Sequence, residues 1–279
     1  MAKIVGVVNS THVPAIGGAI HKGMQQDPYW KPFFDGFPKV REWLARIKPD
    51  VAIVINNDHG LNFFLDKMPT FAIGAAPEYK NADEGWGIPV LPAFKGHEDL
   101  SWHLAESLIG DEFDMVTCQE MAVDHAFTLP LALLYPDMNW PLSVVPININ
   151  TVLFPTPSAK RCFKFGQAIG RAVEAFDQDL RVLVIGTGGL SHQLEGTRAG
   201  FINKEFDLKF MDSLTSEPTW VTQYTDRELV KFAGTQGIEL LNWLTARATM
   251  SGQVKELHRN YHIPISNTAA ATLLLEPHA

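Results

Sequence analysis

Two histidines stand where the chain leaves an apolar run: His12 in Asn9-Ser10-Thr11-His12-Val13-Pro14 follows Ile4–Val8, and His59 in Asn56-Asn57-Asp58-His59-Gly60 follows Val51–Ile55. Imidazole binds iron, zinc and copper well, and two imidazoles plus one carboxylate on one face of a metal form the non-haem Fe(II) triad, which leaves coordination positions open. A strand end holds the backbone rigidly while the ring projects into a cleft. One such histidine could equally be a half-buried loop residue held by a hydrogen bond. The matched pair is what points to a ligand role.

For the carboxylate, Glu239 lies in the otherwise apolar Gly237-Ile238-Glu239-Leu240-Leu241-Asn242-Trp243-Leu244. Buried and ionised, it needs a metal or cation; at helical periodicity it can instead face solvent, and the residues alone favour that. Asp58 is a rival ligand, but neighbouring strand residues point to opposite sides, so it and His59 would not easily share one metal. His192 follows the glycine-rich Gly186-Thr187-Gly188-Gly189. That turn lacks the third glycine of a dinucleotide fingerprint and the lysine of a P-loop, so it does not read as a phosphate site. A histidine near a metal but not bound to it suits proton transfer at neutral pH. His125, in Val123-Asp124-His125, is either a second polar wall of the site or a structural histidine held by Asp124.

These residues need a scaffold that brings distant segments together. Short Val/Ile-rich runs at Ile4–Val8, Val51–Ile55, Val144–Ile149 and Val182–Ile185 read as buried strands. Longer helical patterns at Val40–Ile47, Leu100–Ile109, Lys160–Phe176 and Glu228–Ala248 lie between or after them. The alternation predicts a single-domain α/β sandwich over residues 1–279, with a central, mostly parallel or mixed sheet flanked by helices. In such sheets ligands bind at the carboxyl ends of strands, where His12, His59 and His192 would meet. A net charge of -8 disfavours nonspecific binding to nucleic acid or an anionic membrane. Two isolated cysteines, no apolar leader and no run of roughly 20 apolar residues suggest a soluble protein of the reducing cytoplasm.

The succession Ser10-Thr11-His12-Val13-Pro14, Asn57-Asp58-His59, Asp83-Glu84-Gly85-Trp86-Gly87, Val123-Asp124-His125, Gly186 to Leu194, Asn203-Lys204-Glu205-Phe206-Asp207, Gly237-Ile238-Glu239-Leu240 and Tyr261 to Ala269 covers nearly the whole chain. In order and approximate spacing it resembles the class III, LigB-type extradiol dioxygenases, in particular the catalytic beta subunits of protocatechuate 4,5-dioxygenases. The resemblance implies Fe(2+) held by His12, His59 and Glu239, His192 as acid/base and His125 as a second active-site histidine. It further implies Asn57 beside the metal, and Ser266 and Asn267 contacting the ring carboxylate of a catecholic acid that is opened with O2 between carbons 4 and 5. The partner it implies is a small helical alpha subunit in an alpha2beta2 heterotetramer. Gallate and methylgallate dioxygenases share the motifs and form the alternative, disfavoured by a length of 279 residues. A zinc hydrolase using the same three ligands is a reading of another class.

Overall fold

The computed structural model describes residues 1–85 and 88–278, with Pro264 described by its backbone; the Trp86-Gly87 end of the Asp83–Gly87 motif lies outside the described residues. The strands are β1 (Lys3–Ser10), β2 (Val51–Asn56), β3 (Phe71–Gly74), β4 (Glu78–Asn81), β5 (Phe94–Lys95), β6 (Met115–Cys118), β7 (Ala122–Val123), β8 (Ser143–Ile149), β9 (Arg181–Thr187), β10 (Val254–Ile265) and β11 (Thr268–Pro277). The α-helices are α1 (Pro14–His21), α2 (Lys31–Phe34), α3 (Pro38–Ile47), α4 (Glu98–Gly110), α5 (His125–Leu134), α6 (Ala159–Ala175), α7 (Lys204–Ser216), α8 (Asp226–Ala233) and α9 (Leu240–Ala248). An eight-stranded sheet in the order β10-β11-β1-β9-β2-β8-β3-β6 forms the centre. Its middle strands β1, β9, β2 and β8 are parallel, while β11 joins β1 antiparallel and β3 joins β8 antiparallel.

Side chains of a strand alternate between faces, and the core divides accordingly. Val7, Ile53, Ile55, Val182 and Val184 pack with Phe165, Ile169, Phe210, Trp243 and Leu244 of α6, α7 and α9. Val8, Ala52, Val54, Leu183 and Ile185 pack on the other face with Ile16, Phe33, Val40, Trp43 and Phe127 of α1, α2, α3 and α5. Strands buried on both faces read as continuous apolar runs, which is why these four were visible in the sequence. The α/β sandwich with helices on both faces matches the expected fold class. Among the described residues, no helix is long and apolar enough to cross a membrane.

One expected element breaks. The continuous helical pattern Glu228–Ala248 is two helices: α8 ends at Ala233, Gly234 follows at φ +94°, and a 3₁₀ turn over Gly237–Glu239 leads into α9. That conformation is one an L side chain rarely adopts, and a Cβ on Gly234 would meet the His192 carbonyl oxygen at 2.1 Å. Glu239 is therefore not on a solvated helix face. It sits at the break, 3% exposed.

Candidate active site

β9 lies between β1 and β2, with Ser10 in register with Thr187 and Ile55 with Gly186. The segments carrying His12, His59 and Gly188–His192 thus leave three adjacent parallel strands at the same edge. Glu239 is brought to that edge by the break before α9. His12 Nε2 lies 3.4 Å from Glu239 Oε2 and His59 Nε2 lies 3.6 Å from Glu239 Oε1. Ligand atoms on one octahedral face, at metal distances of roughly 2.1 Å, are about 3 Å apart, so the three residues can close on one ion with small adjustments.

What surrounds the three sets their orientation. His12 Nδ1 lies 3.1 Å from the Thr187 hydroxyl, and His59 Nδ1 donates to Asp124 Oδ2 at 2.9 Å. Both rings therefore have Nδ1 engaged on the far side and turn Nε2 toward Glu239, the arrangement typical of ligating histidines. Glu239 Oε1 accepts from the Asn57 amide at 3.1 Å and Oε2 from the Gly189 N–H at 2.9 Å. Asn242 donates to Asn57 Oδ1 and to the Thr187 carbonyl, so Asn57 turns its amide nitrogen toward Glu239. Gly188, at φ +145°, lets the turn pass against Glu239: a Cβ there would lie 2.7 Å from the Glu239 Cβ.

The electrostatics follow from these contacts. Burial lowers the His12 pKa, and the neighbouring Glu239 only partly opposes it. At His59 burial also works against the charged form, but Asp124 and then Glu239 outweigh it and hold the pKa well above the usual imidazole value. Burial would raise the Glu239 carboxyl, yet His12 and His59 hold it well below the ordinary range. The site keeps its carboxylate ionised and confronts it with two imidazoles. That is a cation-binding arrangement.

His125 packs beside the cluster, its ring 4.1 Å from that of His59 and 5.4 Å edge-on from that of His12. The three imidazoles have nitrogens within 4.8 Å of one another and could themselves hold a metal ion. His125 is not held by Asp124. Its Nδ1 and backbone N–H both donate to Glu84, each at 2.6 Å, while Asp124 accepts from the His59 N–H, His59 Nδ1 and Ala126 N–H. Asp124 caps the N-terminus of α5, which turns its carboxylate away from its neighbour. Charge interaction with His59 lowers the Asp124 pKa to about 2 despite the opposing effect of burial.

His192 is 7% exposed and lies close to the carboxylate of Glu239. Its Nδ1 faces the Leu190 carbonyl at 2.9 Å, and a carbonyl can only accept, so Nδ1 carries a proton and Nε2 is the nitrogen left for proton exchange. Asp58 takes no part in the cluster: its carboxylate accepts the N–H groups of Gly60, Leu61, Asn62 and Phe63 and folds the loop that carries His59. Ser266 and Asn267 form the exposed turn between β10 and β11, next to Thr268, which bridges to His192. Of the three residues that position the site, Asp124 reads from sequence as a partner of His125 and holds His59 instead, while Glu84 and Thr187 stand in the sequence motifs with no role assigned. Thr187 carried a positional signal, as the last residue of a strand that leads to His192.

A model of the catalytic LigB subunit of aromatic ring-opening dioxygenases matches residues 6–271. A gallate dioxygenase of Pseudomonas putida is 43% identical over 196 residues, 70% of this chain and 57% of that protein. A 2,3-dihydroxyphenylpropionate/2,3-dihydroxicinnamic acid 1,2-dioxygenase of Rhodococcus jostii is 28% identical over 90% of both chains. The chain thus spans little more than half of the gallate dioxygenase. Among solved structures, an uncharacterized protein of Escherichia coli K12 shares the fold, with a TM-score of 0.53 at 13% identity, over 97% of this chain and 99% of that one. With a family match over almost the full length, the chain belongs to the family of catalytic LigB subunits of aromatic ring-opening dioxygenases.

Proposed function

We propose that this chain is an extradiol dioxygenase that uses Fe(II), held by His12, His59 and Glu239, to open a catechol carrying a ring carboxylate. The observation that carries the reading is the approach of His12 Nε2 and His59 Nε2 to the two oxygens of Glu239 at 3.4 and 3.6 Å. Two imidazoles and one carboxylate fit Fe(II) by donor type. The iron would supply open positions for both catechol oxygens and for dioxygen, and would acidify the chelated hydroxyls.

The chain's own groups do the rest. His192 takes a proton from a substrate hydroxyl at Nε2, while the Nδ1–H bond to Leu190 keeps the ring from turning away. His125, tied down by Glu84, presents its remaining nitrogen to the same space. Asn57 holds Glu239 in place from one side and the Gly189 N–H holds it from the other, leaving the ligand little freedom to rotate.

For the substrate, the 43% relative named gallate dioxygenase favours gallate over protocatechuate, the substrate expected first from the sequence motifs. Protocatechuate, cleaved between carbons 4 and 5, is the second reading and differs by one ring hydroxyl. A separate small helical subunit, in an alpha2beta2 assembly, belongs to that second reading. The test is oxygen uptake by the Fe(II)-reconstituted protein on gallate, methylated gallates and protocatechuate, with product spectra. Gallate should give the highest kcat/KM, and absence of uptake with every catechol would refute the dioxygenase reading.

A further inference from the structure

We propose that the Tyr29 hydroxyl is a specificity-determining donor that recognises the anionic substituent of the substrate ring; the inference rests on the site being one that opens carboxylated catechols. The argument begins with register. β11 pairs with β1 as far as Thr272 opposite Ser10, then runs on to Thr268, which bridges to His192. The turn Ser266-Asn267 therefore projects beyond the carboxyl end of the sheet, on the side where His12, His59 and His192 gather. It forms a rim at the edge of the sheet where those histidines lie.

Ser266 occupies that turn at φ +56°, a left-handed conformation that favours glycine. Such a position persists when the surroundings hold it, and here the holder is Tyr29, whose hydroxyl oxygen accepts the Ser266 N–H at 3.1 Å. Tyr29 lies in the segment between α1 and α2, and Asn260 of β10 pins the start of α2 through the Pro32 and Phe33 carbonyls. Its ring stands edge-on to the buried Trp30, with centroids 5.2 Å apart, and is 47% exposed. The phenol is thus fixed from two directions.

A phenolic hydroxyl both accepts and donates. Its acceptor capacity is used by Ser266, and no described residue accepts its proton. An oriented O–H with no described acceptor, at this edge of the sheet and beside the exposed Ser266 and Asn267 side chains, is suited to an anion reaching out from the ring. Hydrogen bonds to a carboxylate are about twice as strong as neutral ones. A catechol chelated through its diol would turn a carboxylate on the far side of the ring outward, toward this rim.

The experiment compares wild type with Tyr29→Phe, which keeps the ring and removes only the hydroxyl. Iron-loaded enzyme is assayed on gallate and protocatechuate and on 4-methylcatechol, which has the diol but no charge. Loss of one charge-assisted bond should raise KM for the carboxylated substrates roughly tenfold, leave their kcat within about threefold, and leave 4-methylcatechol unchanged. Anaerobic titration, which needs no turnover, should show the same loss of affinity for the carboxylated catechols alone. Equal effects on charged and uncharged catechols, or none on either, would overturn the inference. Failure of wild type to consume oxygen with any catechol would instead refute the proposed reaction, and the anaerobic titration would still decide the role of Tyr29.

Discussion

Asp124→Asn separates orientation of a ligand from ligation itself. The carboxylate serves three donors at once: the His59 N–H and Nδ1–H on Oδ2, both at 2.9 Å, and the Ala126 N–H on Oδ1 at 2.9 Å. An amide has one oxygen, so one side must lose its acceptor. If the oxygen stays on the α5 cap, the amide NH2 faces His59 Nδ1 and favours the tautomer whose Nε2 carries a proton, which cannot bind a metal. If the oxygen turns to His59, the cap is lost at a cost of about 1 kcal/mol, and the charge that favours a metal-bound imidazole is gone as well. Losing one hydrogen bond to a charged group costs about 1.5–3 kcal/mol, roughly 10- to 100-fold in affinity, the range found for residues that orient metal ligands. The measurement is anaerobic Fe(II) affinity by competition with a chelator, with Co(II) as a second probe. Wild-type affinity for both metals in a folded Asp124→Asn protein would refute the claim that Asp124 holds His59 in its ligating tautomer.

Other expectations follow from the same geometry. His12→Ala, His59→Ala and Glu239→Ala should each purify with little iron, because three protein ligands leave no redundancy at a facial site; near-full occupancy in one variant would remove that residue from the set. His192→Ala should keep iron and anaerobic substrate binding but lose on the order of 10²–10⁴-fold in kcat, and a rate within a few-fold of wild type would end its role in proton transfer. Among the described residues the buried Asp207 carboxylate has no cationic partner and accepts from the Ser191 N–H, the Ser191 hydroxyl and the Tyr261 hydroxyl, and burial raises its pKa to about 6. A carboxyl raised in the folded state stabilises fully below its unfolded pKa of about 4 and loses that contribution as pH rises through about 6. Denaturant unfolding should therefore show the stability of wild type relative to Asp207→Asn falling by on the order of 3 kcal/mol between pH 4 and pH 7; a pH-independent difference would show that Asp207 is ionised throughout.

Why some of this was legible in the sequence and some not follows from what each residue's signal depends on. His12 and His59 could be read because a doubly buried strand is a continuous apolar run, so its end, and the polar residue just past it, are marked locally. Their convergence was not marked, because it depends on β9 inserting between β1 and β2, a pairing between segments far apart in the chain. Glu239 misled the periodicity for a different reason: α8, the 3₁₀ turn and α9 all use helical spacing, so the break at Gly234 leaves the apolar pattern nearly intact while swinging Glu239 from the expected solvent side into the core. Only resemblance to a family implied a ligand role for it. Asp124 and His125 show the opposite error, in which adjacency suggested a contact. A helix cap directs its side chain back over the first turn, so Asp124 serves the Ala126 amide of α5 and the loop of His59, and His125 finds Glu84 from 41 residues away. Local chemistry announces which side chains can act, whereas the carboxylates that orient them belong to tertiary structure and need the fold before they can be assigned.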